Sequence, residues 1–218
     1  MYDYILFDLD GTLTNPKEGI TKCIQYALSY MGIEEPDLNN LTRFIGPPLH
    51  TAFMEYYGFD EAAAWTAVKR YRERFGTIGV YENEVFQGIS DLLGQLKQNS
   101  MILAVATSKP EIFMSKILEK YDLKKYFDVA AGSELDGMRT EKADVIEEAL
   151  RRLSISDKER SRVIMVGDRK YDIEGAKACG IHSVGVEFGF AEENELESAG
   201  ADYVVSSVDE LKKLLLNN

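Results

Sequence analysis

Two aspartates stand two residues apart at the point where a short apolar run of the sequence ends. The run Tyr4–Phe7 is followed by Asp8, Leu9, Asp10 and Gly11. Residues i and i+2 of an extended strand lie on the same side, and a glycine lets the chain turn away from them, so both carboxylates can face one ligand. A carboxylate can attack a phosphoryl group to give an acyl phosphate, and a second carboxyl can donate and accept the protons that such a reaction moves. The spacing therefore favours Asp8 as a nucleophile and Asp10 as an acid and base.

Further polar residues follow other apolar runs or open helical patterns. They are, in chain order, Thr107, Ser108, Lys142, Asp168 and Asp172. Ligand sites of parallel α/β sheets lie beyond the carboxyl ends of the strands. We therefore expect these residues and the aspartate pair to form one site.

The four aspartates of this expected site would repel one another, because a like-charge pair at about 4 Å costs roughly 1 to 4 kcal/mol. A hard divalent cation suits a set of oxygen ligands without histidine or cysteine, and magnesium keeps its waters while bridging to a phosphate. The sequence therefore predicts Mg²⁺ as the cofactor.

The elements that must position these residues alternate between strands and helices. Helical patterns separate short apolar runs that are typical of buried strands, namely Tyr4–Phe7, Ile102–Ala106, Val129–Ala131, Val163–Val166, Ser183–Val186 and Tyr203–Val205. Such alternation indicates parallel β-α-β winding. The predicted fold class is α/β, a three-layer Rossmann-like parallel sheet core with helices on both faces.

One segment interrupts the alternation and predicts an inserted helical domain. From residue 16 to residue 81 no convincing strand pattern occurs, and helical spacing dominates, including a helix that begins after Asp60. Trp65, Tyr71 and Phe75 lie at helical spacing and are expected in the interior of this domain. The predicted core therefore comprises residues 1–15 and 82–218, with residues 16–81 inserted.

The polar groups resemble the four sequence motifs of the haloacid dehalogenase superfamily of phosphohydrolases. The matching stretches are "DLDGT", "ATS", Lys142 and "GDRKYD", in the family's order along nearly the whole chain. The insertion is similar to the C1-type helical cap of that family. The stretches "FDLDGTLTNPKEGI", "RFIGPPL" and "GSELDG" are most similar to its phosphoglycolate phosphatase-like branch, which includes 5′-nucleotidases.

The resemblance implies a Mg²⁺-dependent phosphomonoesterase that forms an aspartyl phosphate. It implies catalytic roles for Asp8, Asp10, Thr107 and Lys142, and metal ligation by Asp8, by the backbone carbonyl of Asp10 and by Asp168. Asp172, one helical turn after Asp168, either orients a water of the metal or ligates it directly, and we expect the first. Phosphate binding is implied for Leu9, Gly11, Thr107, Ser108 and Lys142. Arg43 in the cap is expected to bind the part of the substrate that does not react.

Composition narrows the partners. The 218 residues carry 25 Lys and Arg against 37 Asp and Glu, a formal net charge of −12, which disfavours nucleic acid and anionic membranes as partners. No apolar run approaches the roughly 20 residues of a membrane span, and no basic stretch suggests a signal peptide. We expect a cytoplasmic protein, a monomer or homodimer, that binds a small phosphorylated metabolite. Cys23 and Cys179 are expected to be reduced thiols that fill the core.

Other interpretations compete with this one. Each candidate residue also has a purely structural interpretation. Asp10 and Gly11 could form an ordinary turn. Lys142 could face solvent, and Arg43 could be solvated or salt-bridged. Arg169 either attracts phosphate or offsets nearby acids. A phosphomutase of the same fold would return the phosphoryl group to a sugar, and a sensor would accept a phosphoryl group without turnover.

Overall fold

The computed structural model describes residues 2–136 and 139–217. Gly137, the last residue of "GSELDG", lies outside the described residues, and so do the first and last positions of the predicted core. The chain divides into two compact units, one of Met1–Asn15 with Val85–Asn218 and the other of Pro16–Glu84. The predicted insertion, residues 16–81, ends three residues before the second unit does. The role of this unit as a cap domain remains a prediction.

The first unit is built on a six-stranded sheet in which each recorded strand pair is parallel. The strands of the chain are β1 (Tyr4–Phe7), β2 (Thr14–Asn15), β3 (Glu84–Val85), β4 (Ile102–Pro110), β5 (Val129–Ser133), β6 (Val163–Gly167), β7 (His182–Val186) and β8 (Tyr203–Val205). The large sheet has the order β5-β4-β1-β6-β7-β8, and β2 and β3 form a separate two-stranded sheet.

Helices follow most of the strands. The α-helices are α1 (Lys17–Tyr30), α2 (Leu49–Tyr57), α3 (Glu61–Phe75), α4 (Ile89–Gln98), α5 (Glu111–Lys120), α6 (Lys142–Arg152), α7 (Lys170–Ala178), α8 (Glu195–Ala199) and α9 (Val208–Asn217). Short 3-10 helices cover Leu38–Phe44, Gly79–Tyr81, Lys124–Tyr126 and Asp157–Arg162. Pro110 ends β4, and α5 begins directly after it at Glu111.

Both faces of the large sheet are covered. Successive residues of β1 from Ile5 to Phe7 are completely buried, although successive side chains of a strand point to opposite faces. On one face Leu6 and Met165 pack in a core cluster with Ile146 of α6 and Ala176 of α7. Burial on both faces is typical of a parallel sheet between helical layers. The predicted three-layer α/β fold is confirmed.

The strand register brings the ends of the three central strands together. Phe7, the last residue of β1, pairs with Val105 of β4 on one side and with Val166 of β6 on the other. Parallel strands end at the same edge of a sheet. Asp8 and Asp168, which directly follow β1 and β6, therefore lie close to Thr107 near the end of β4.

The second unit consists of α1, α2, α3 and 3-10 turns. Asp60 caps α3, because its Oδ1 accepts a hydrogen bond of 2.8 Å from the Ala63 N–H. Tyr71 and Phe75 are buried as expected, but Trp65 is 39% exposed and stacks on His50 at 4.4 Å between ring centroids. The expectation of an interior Trp65 was wrong because Trp65 lies about 100° around α3 from the buried Ala64, at the side of the face that Ala64, Val68 and Tyr71 share.

Within the described ranges, none of the helices is both long enough and apolar enough to span a bilayer.

Candidate active site

Asp8 and Lys142 form a buried ion pair at the carboxyl edge of the large sheet. The Asp8 N–H donates to the Val166 carbonyl at 2.9 Å, which fixes the residue beside β6. Lys142 opens α6, and its Nζ lies 2.8 Å from Asp8 Oδ1 and 2.7 Å from Asp172 Oδ1. The same ammonium donates to the Ala106 carbonyl at 3.3 Å. Lys142 is therefore buried between two carboxylates, and the alternative of a solvent-facing lysine was wrong.

Asp168 follows β6 and is held by two donors from different loops. Its Oδ1 accepts from Thr12 Oγ1 at 3.2 Å, and its Oδ2 accepts from the Phe190 N–H at 2.9 Å. Gly11 has φ +88°, and a Cβ there would lie 2.1 Å from Asp168 Oδ2. Only a residue without a side chain fits this turn, because both the backbone angle and the space exclude one.

Asp172 lies in the first turn of α7 with both oxygens engaged. Oδ1 pairs with Lys142, and Oδ2 accepts from the Arg169 N–H at 3.0 Å. A carboxylate in the first turn is suited to this contact, since it satisfies a backbone donor of the helix start. Arg169 itself pairs with Glu195, Nε to Oε1 at 2.9 Å, with both side chains largely buried.

Asp10 is paired with a lysine that we had not selected as a site residue. Lys109 Nζ lies 2.5 Å from Asp10 Oδ2, and both side chains are buried. Asp10 Oδ1 is buried as well, with no hydrogen-bond partner among the described residues. The carboxyl group of Asp10 is therefore fixed through one oxygen only.

Burial and repulsion between carboxylates raise the pKa values of the aspartates in the site. Burial, together with the carboxylates of Asp172 and Asp8, raises the pKa of Asp168 well above its ordinary value. Burial also raises the pKa of Asp172 to about 6, although Lys142 opposes this rise. Burial raises the pKa of Asp10, and Lys109 counteracts it.

The carboxylates raise the pKa of Lys142 despite its burial, which acts in the opposite direction. Lys142 therefore stays charged at neutral pH.

The donor set fits a hard divalent cation. Asp8, Asp168 and Asp172 each offer a carboxylate oxygen, and these oxygens lie within 4.8 Å of one another. Asp8, Asp10, Asp168 and Asp172, when ionised, exceed the charge of Lys109 and Lys142 by two. Oxygen ligands with an excess of two negative charges match Mg²⁺.

The residues predicted to bind phosphate differ in the hydrogen bonds that they already make within the protein. Thr107 is buried, and its Oγ1 accepts from the Lys109 N–H at 3.3 Å. The Ser108 carbonyl accepts from Ser133 Oγ at 2.7 Å. The Leu9 carbonyl accepts from turn N–H groups, and the Gly11 N–H donates to the Thr14 carbonyl at 2.7 Å. In this structure the Gly11 N–H is thus used within the turn, and phosphate binding by it stays a prediction.

Arg43 belongs to the second unit and is exposed. Its guanidinium lies over the rings of Tyr56 and Tyr57, 4.5 and 5.5 Å from their centroids. Stacking on aromatic rings limits the directions in which this guanidinium can point. Its contact with a substrate stays a prediction.

Three contacts of the site were not predicted from the sequence. Thr12 was part of a quoted motif without a role, and its hydroxyl supports Asp168. Lys109 follows Thr107 at the i+2 spacing of a strand, which is the signal that would have placed both on one side. Phe190 lies in the loop after β7, where no periodic pattern marks a contact.

Comparison with known proteins agrees with this geometry. The profile of the family described as haloacid dehalogenase-like hydrolase matches residues 5–186. A 5′-nucleotidase of Pseudomonas aeruginosa is 46% identical over 98% of this chain and 96% of its own length. The tyrosine-protein kinase PtkA of Mycobacterium tuberculosis is 36% identical over 97% of this chain and 72% of its own length.

Two further matches extend the comparison. A phosphoglycolate phosphatase of Aquifex aeolicus is 30% identical over 98% of this chain and 97% of its own length. The crystal structure of a predicted phosphatase from Clostridium acetobutylicum superposes with a TM-score of 0.96, at 49% identity over the full length of both chains. The profile match covers most of the chain, and the relatives cover nearly all of it. The chain therefore belongs to the haloacid dehalogenase-like hydrolase family.

Proposed function

We propose that this chain is a Mg²⁺-dependent phosphomonoesterase that works through an aspartyl phosphate on Asp8. The observation that supports the proposal most directly is the buried pairing of Asp8 with Lys142 at 2.8 Å, beside the carboxylates of Asp168 and Asp172. A nucleophilic carboxylate needs a fixed position and a neighbouring positive charge that balances an incoming phosphate. Lys142 meets both needs.

In the first half of the reaction, an oxygen of Asp8 attacks the phosphorus of the substrate. The bond between phosphorus and the ester oxygen breaks, and Asp10 gives its proton to the leaving oxygen. Burial favours the protonated form of Asp10 that this step requires. The Lys142 ammonium and the Thr107 hydroxyl face the charge that spreads over the phosphoryl oxygens.

In the second half, water attacks the phosphorus of the acyl phosphate. Asp10, now ionised, takes a proton from this water, and the bond to Asp8 breaks to release phosphate. The same carboxyl group thus serves both halves, and each turnover restores both aspartates.

Magnesium, when bound by Asp8, the Asp10 carbonyl and Asp168, would neutralise charge on the phosphate and on the acids. Asp172 is better suited to orienting than to ligating, because its Oδ1 is already paired with the Lys142 ammonium and its Oδ2 accepts from the Arg169 N–H.

We infer a small phosphorylated metabolite as the substrate. The relatives named 5′-nucleotidase and phosphoglycolate phosphatase support nucleoside 5′-monophosphates and phosphoglycolate as the first compounds to test. The relative named tyrosine-protein kinase supports a second candidate, transfer of a phosphoryl group to a tyrosine hydroxyl. In that case an acceptor hydroxyl would replace water in the second half of the reaction.

A panel of phosphorylated metabolites tests the proposal. We expect the chain to release inorganic phosphate from at least one monoester with added Mg²⁺, and to lose this activity with excess chelator. Labelled ATP with a tyrosine-containing peptide is included to detect the kinase alternative. Peptide labelling without phosphate release would overturn the phosphatase assignment. Phosphate release that chelation leaves unchanged would overturn the dependence on Mg²⁺.

A further inference from the structure

A second buried ion pair lies beside the proposed reaction centre. Lys109 Nζ lies 2.5 Å from Asp10 Oδ2, and the two side chains expose only 5% and 11% of their surface. Asp10 Oδ1 is buried with no hydrogen-bond partner among the described residues. The two oxygens of this carboxyl group therefore have different surroundings.

The strand that carries Lys109 explains how its side chain reaches Asp10. Thr107 pairs with Gly132 of β5, but the next recorded pair is Pro110 with Ser133, so the register shifts between them. Such an irregularity re-aims the side chains of a strand, and it is frequent next to active sites. Thr107 and Lys109 are both buried, with the half-buried Ser108 between them.

A short local contact fixes the backbone of this segment. The Lys109 N–H donates to Thr107 Oγ1, and the carbonyl of Ser108 accepts from Ser133 Oγ at 2.7 Å. The backbone that carries the lysine is thus held by the neighbouring strand. A buried ammonium needs a polar partner, and the carboxyl group of Asp10 supplies the accepting oxygen.

We propose that Lys109 is a positioning residue for Asp10, which holds Oδ2 so that Oδ1 exchanges the proton with the leaving group and with water. The inference rests on the proposed function. In the first half of the reaction the proton passes from Oδ1 to the ester oxygen as its bond to phosphorus breaks. In the second half Oδ1 takes a proton from the attacking water. Lys109 keeps its own proton throughout and acts only through Asp10.

This role predicts a dependence on the leaving group. An alkoxide needs a proton in order to leave, whereas p-nitrophenolate is a stable anion that leaves without one. Removal of the positioning contact should therefore slow hydrolysis of alkyl phosphates and spare hydrolysis of p-nitrophenyl phosphate. The quantity to compare is kcat/KM, because it covers only the steps up to departure of the leaving group.

The test variant is Lys109→Met, which keeps the aliphatic stem and removes the charge. We expect kcat/KM to fall by roughly 100-fold or more for the best alkyl phosphate, which is the usual contribution of general acid catalysis. For p-nitrophenyl phosphate we expect a change within about 5-fold, since no proton is needed. Lys109→Arg should recover most of the loss because it restores the charge.

Two further measurements separate this role from others. Inhibition by inorganic phosphate should be unchanged in Lys109→Met if the lysine acts through Asp10 and not on the phosphate. The matched control Lys97→Met removes a lysine that pairs with Asp128 at 2.7 Å away from the site. It should leave both rates unchanged. Thermal unfolding of each variant shows that the comparison is made on folded protein.

Several results would overturn the inference. An equal loss for both esters, with weaker inhibition by phosphate, would make Lys109 a ligand of the anion. Unchanged rates for both esters would deny it any role. If Lys109→Met does not fold, the same comparison in Lys109→Gln, which keeps a donor without the charge, decides between these outcomes. A wild-type protein that hydrolyses no ester at all would contradict the proposed function itself, which is a separate failure.

Discussion

At the scale of single residues, an ion pair with Lys142 fixes Asp8. Lys142 lies between Asp8 and Asp172 and belongs to a helix that begins far along the chain. Asp8 thus has one neighbour of opposite charge, whereas the nearby carboxylates repel it. The nucleophilic role that we propose for Asp8 therefore depends on Lys142.

Asp8→Asn should abolish turnover while the protein remains folded. The amide is similar in shape but is a poor nucleophile, so we expect kcat to fall by at least about 10⁴-fold. Borohydride trapping followed by mass spectrometry should show modified residue 8 in the wild type and none in the variant.

The matched control for this substitution is Asp122→Asn. Asp122 is a surface residue with φ +54°, a backbone angle that asparagine tolerates well. The control should retain wild-type activity. Appreciable turnover in folded Asp8→Asn would contradict the covalent route.

At the scale of elements, the loop after β7 closes over Asp168. The Phe190 N–H binds the carboxylate, and the preceding Gly189 lies so close that a Cβ would be 2.3 Å from Asp168 Cβ and 2.4 Å from the Gly11 carbonyl oxygen. The loop and the turn after β1 are therefore packed against each other without space for a methyl group.

Gly189→Ala should weaken both the fold and the metal site. The methyl group must displace backbone, which we expect to cost about 1 to 3 kcal/mol in the free energy of unfolding. Asp168 is a proposed metal ligand, so displacement of its hydrogen bond from the Phe190 N–H should weaken Mg²⁺ affinity by about 10- to 100-fold. Chemical unfolding and calorimetric titration with Mg²⁺ measure the two effects.

Gly94→Ala provides the control for this substitution. Gly94 lies inside α4, and a Cβ there would meet only Tyr126 at 3.9 Å. Alanine stabilises a helix more than glycine does, so this variant should be as stable as the wild type or slightly more stable. Equal Mg²⁺ affinity in the two glycine variants would refute a supporting role of the loop.

The order and type of elements could be predicted because apolar runs and helical periods alternate so regularly. The apolar runs of β1 and β6 end where these strands end or one residue earlier, whereas β4 continues past its apolar run to Pro110. Asp8, Thr107 and Asp168 could still be assigned to one edge. The i+2 spacing of Thr107 and Lys109 places both on one side of the strand, but the contact of Lys109 with Asp10 also depends on a register shift that leaves no periodic pattern. The contact of Phe190 with Asp168 comes from an irregular loop, which leaves none either.

At the scale of the whole molecule, the acidic site makes the stability depend on pH and on the cation. The ordinary pKa of Asp172, 3.8, is raised to about 6 in the folded protein, and that of Asp168 is raised as well. A carboxyl whose pKa is raised by folding holds its proton more tightly when folded. Its contribution to stability is therefore lost as the pH rises through the folded pKa.

We expect the chelated protein to become less stable from pH 5 to pH 7, by about 1 kcal/mol from Asp172 alone. Added Mg²⁺ should stabilise the protein more at pH 7 than at pH 5, because protons compete with the cation for the same oxygens. Urea unfolding at both pH values, with chelator and with Mg²⁺, measures this difference. A chelated protein that gains stability over this range would contradict the prediction.

The position of β1 in the sheet affects how the chain folds during its synthesis. Tyr4 pairs with Ile102 and with Val163, so β1 is synthesised well before either of its neighbours in the sheet. At ordinary rates of protein synthesis this delay lasts roughly ten to thirty seconds. During that time an apolar segment has unpaired edges, while residues 16–84 are already complete and can form their own helices. Asp8 and Asp168 can therefore come together only after β6 has been synthesised.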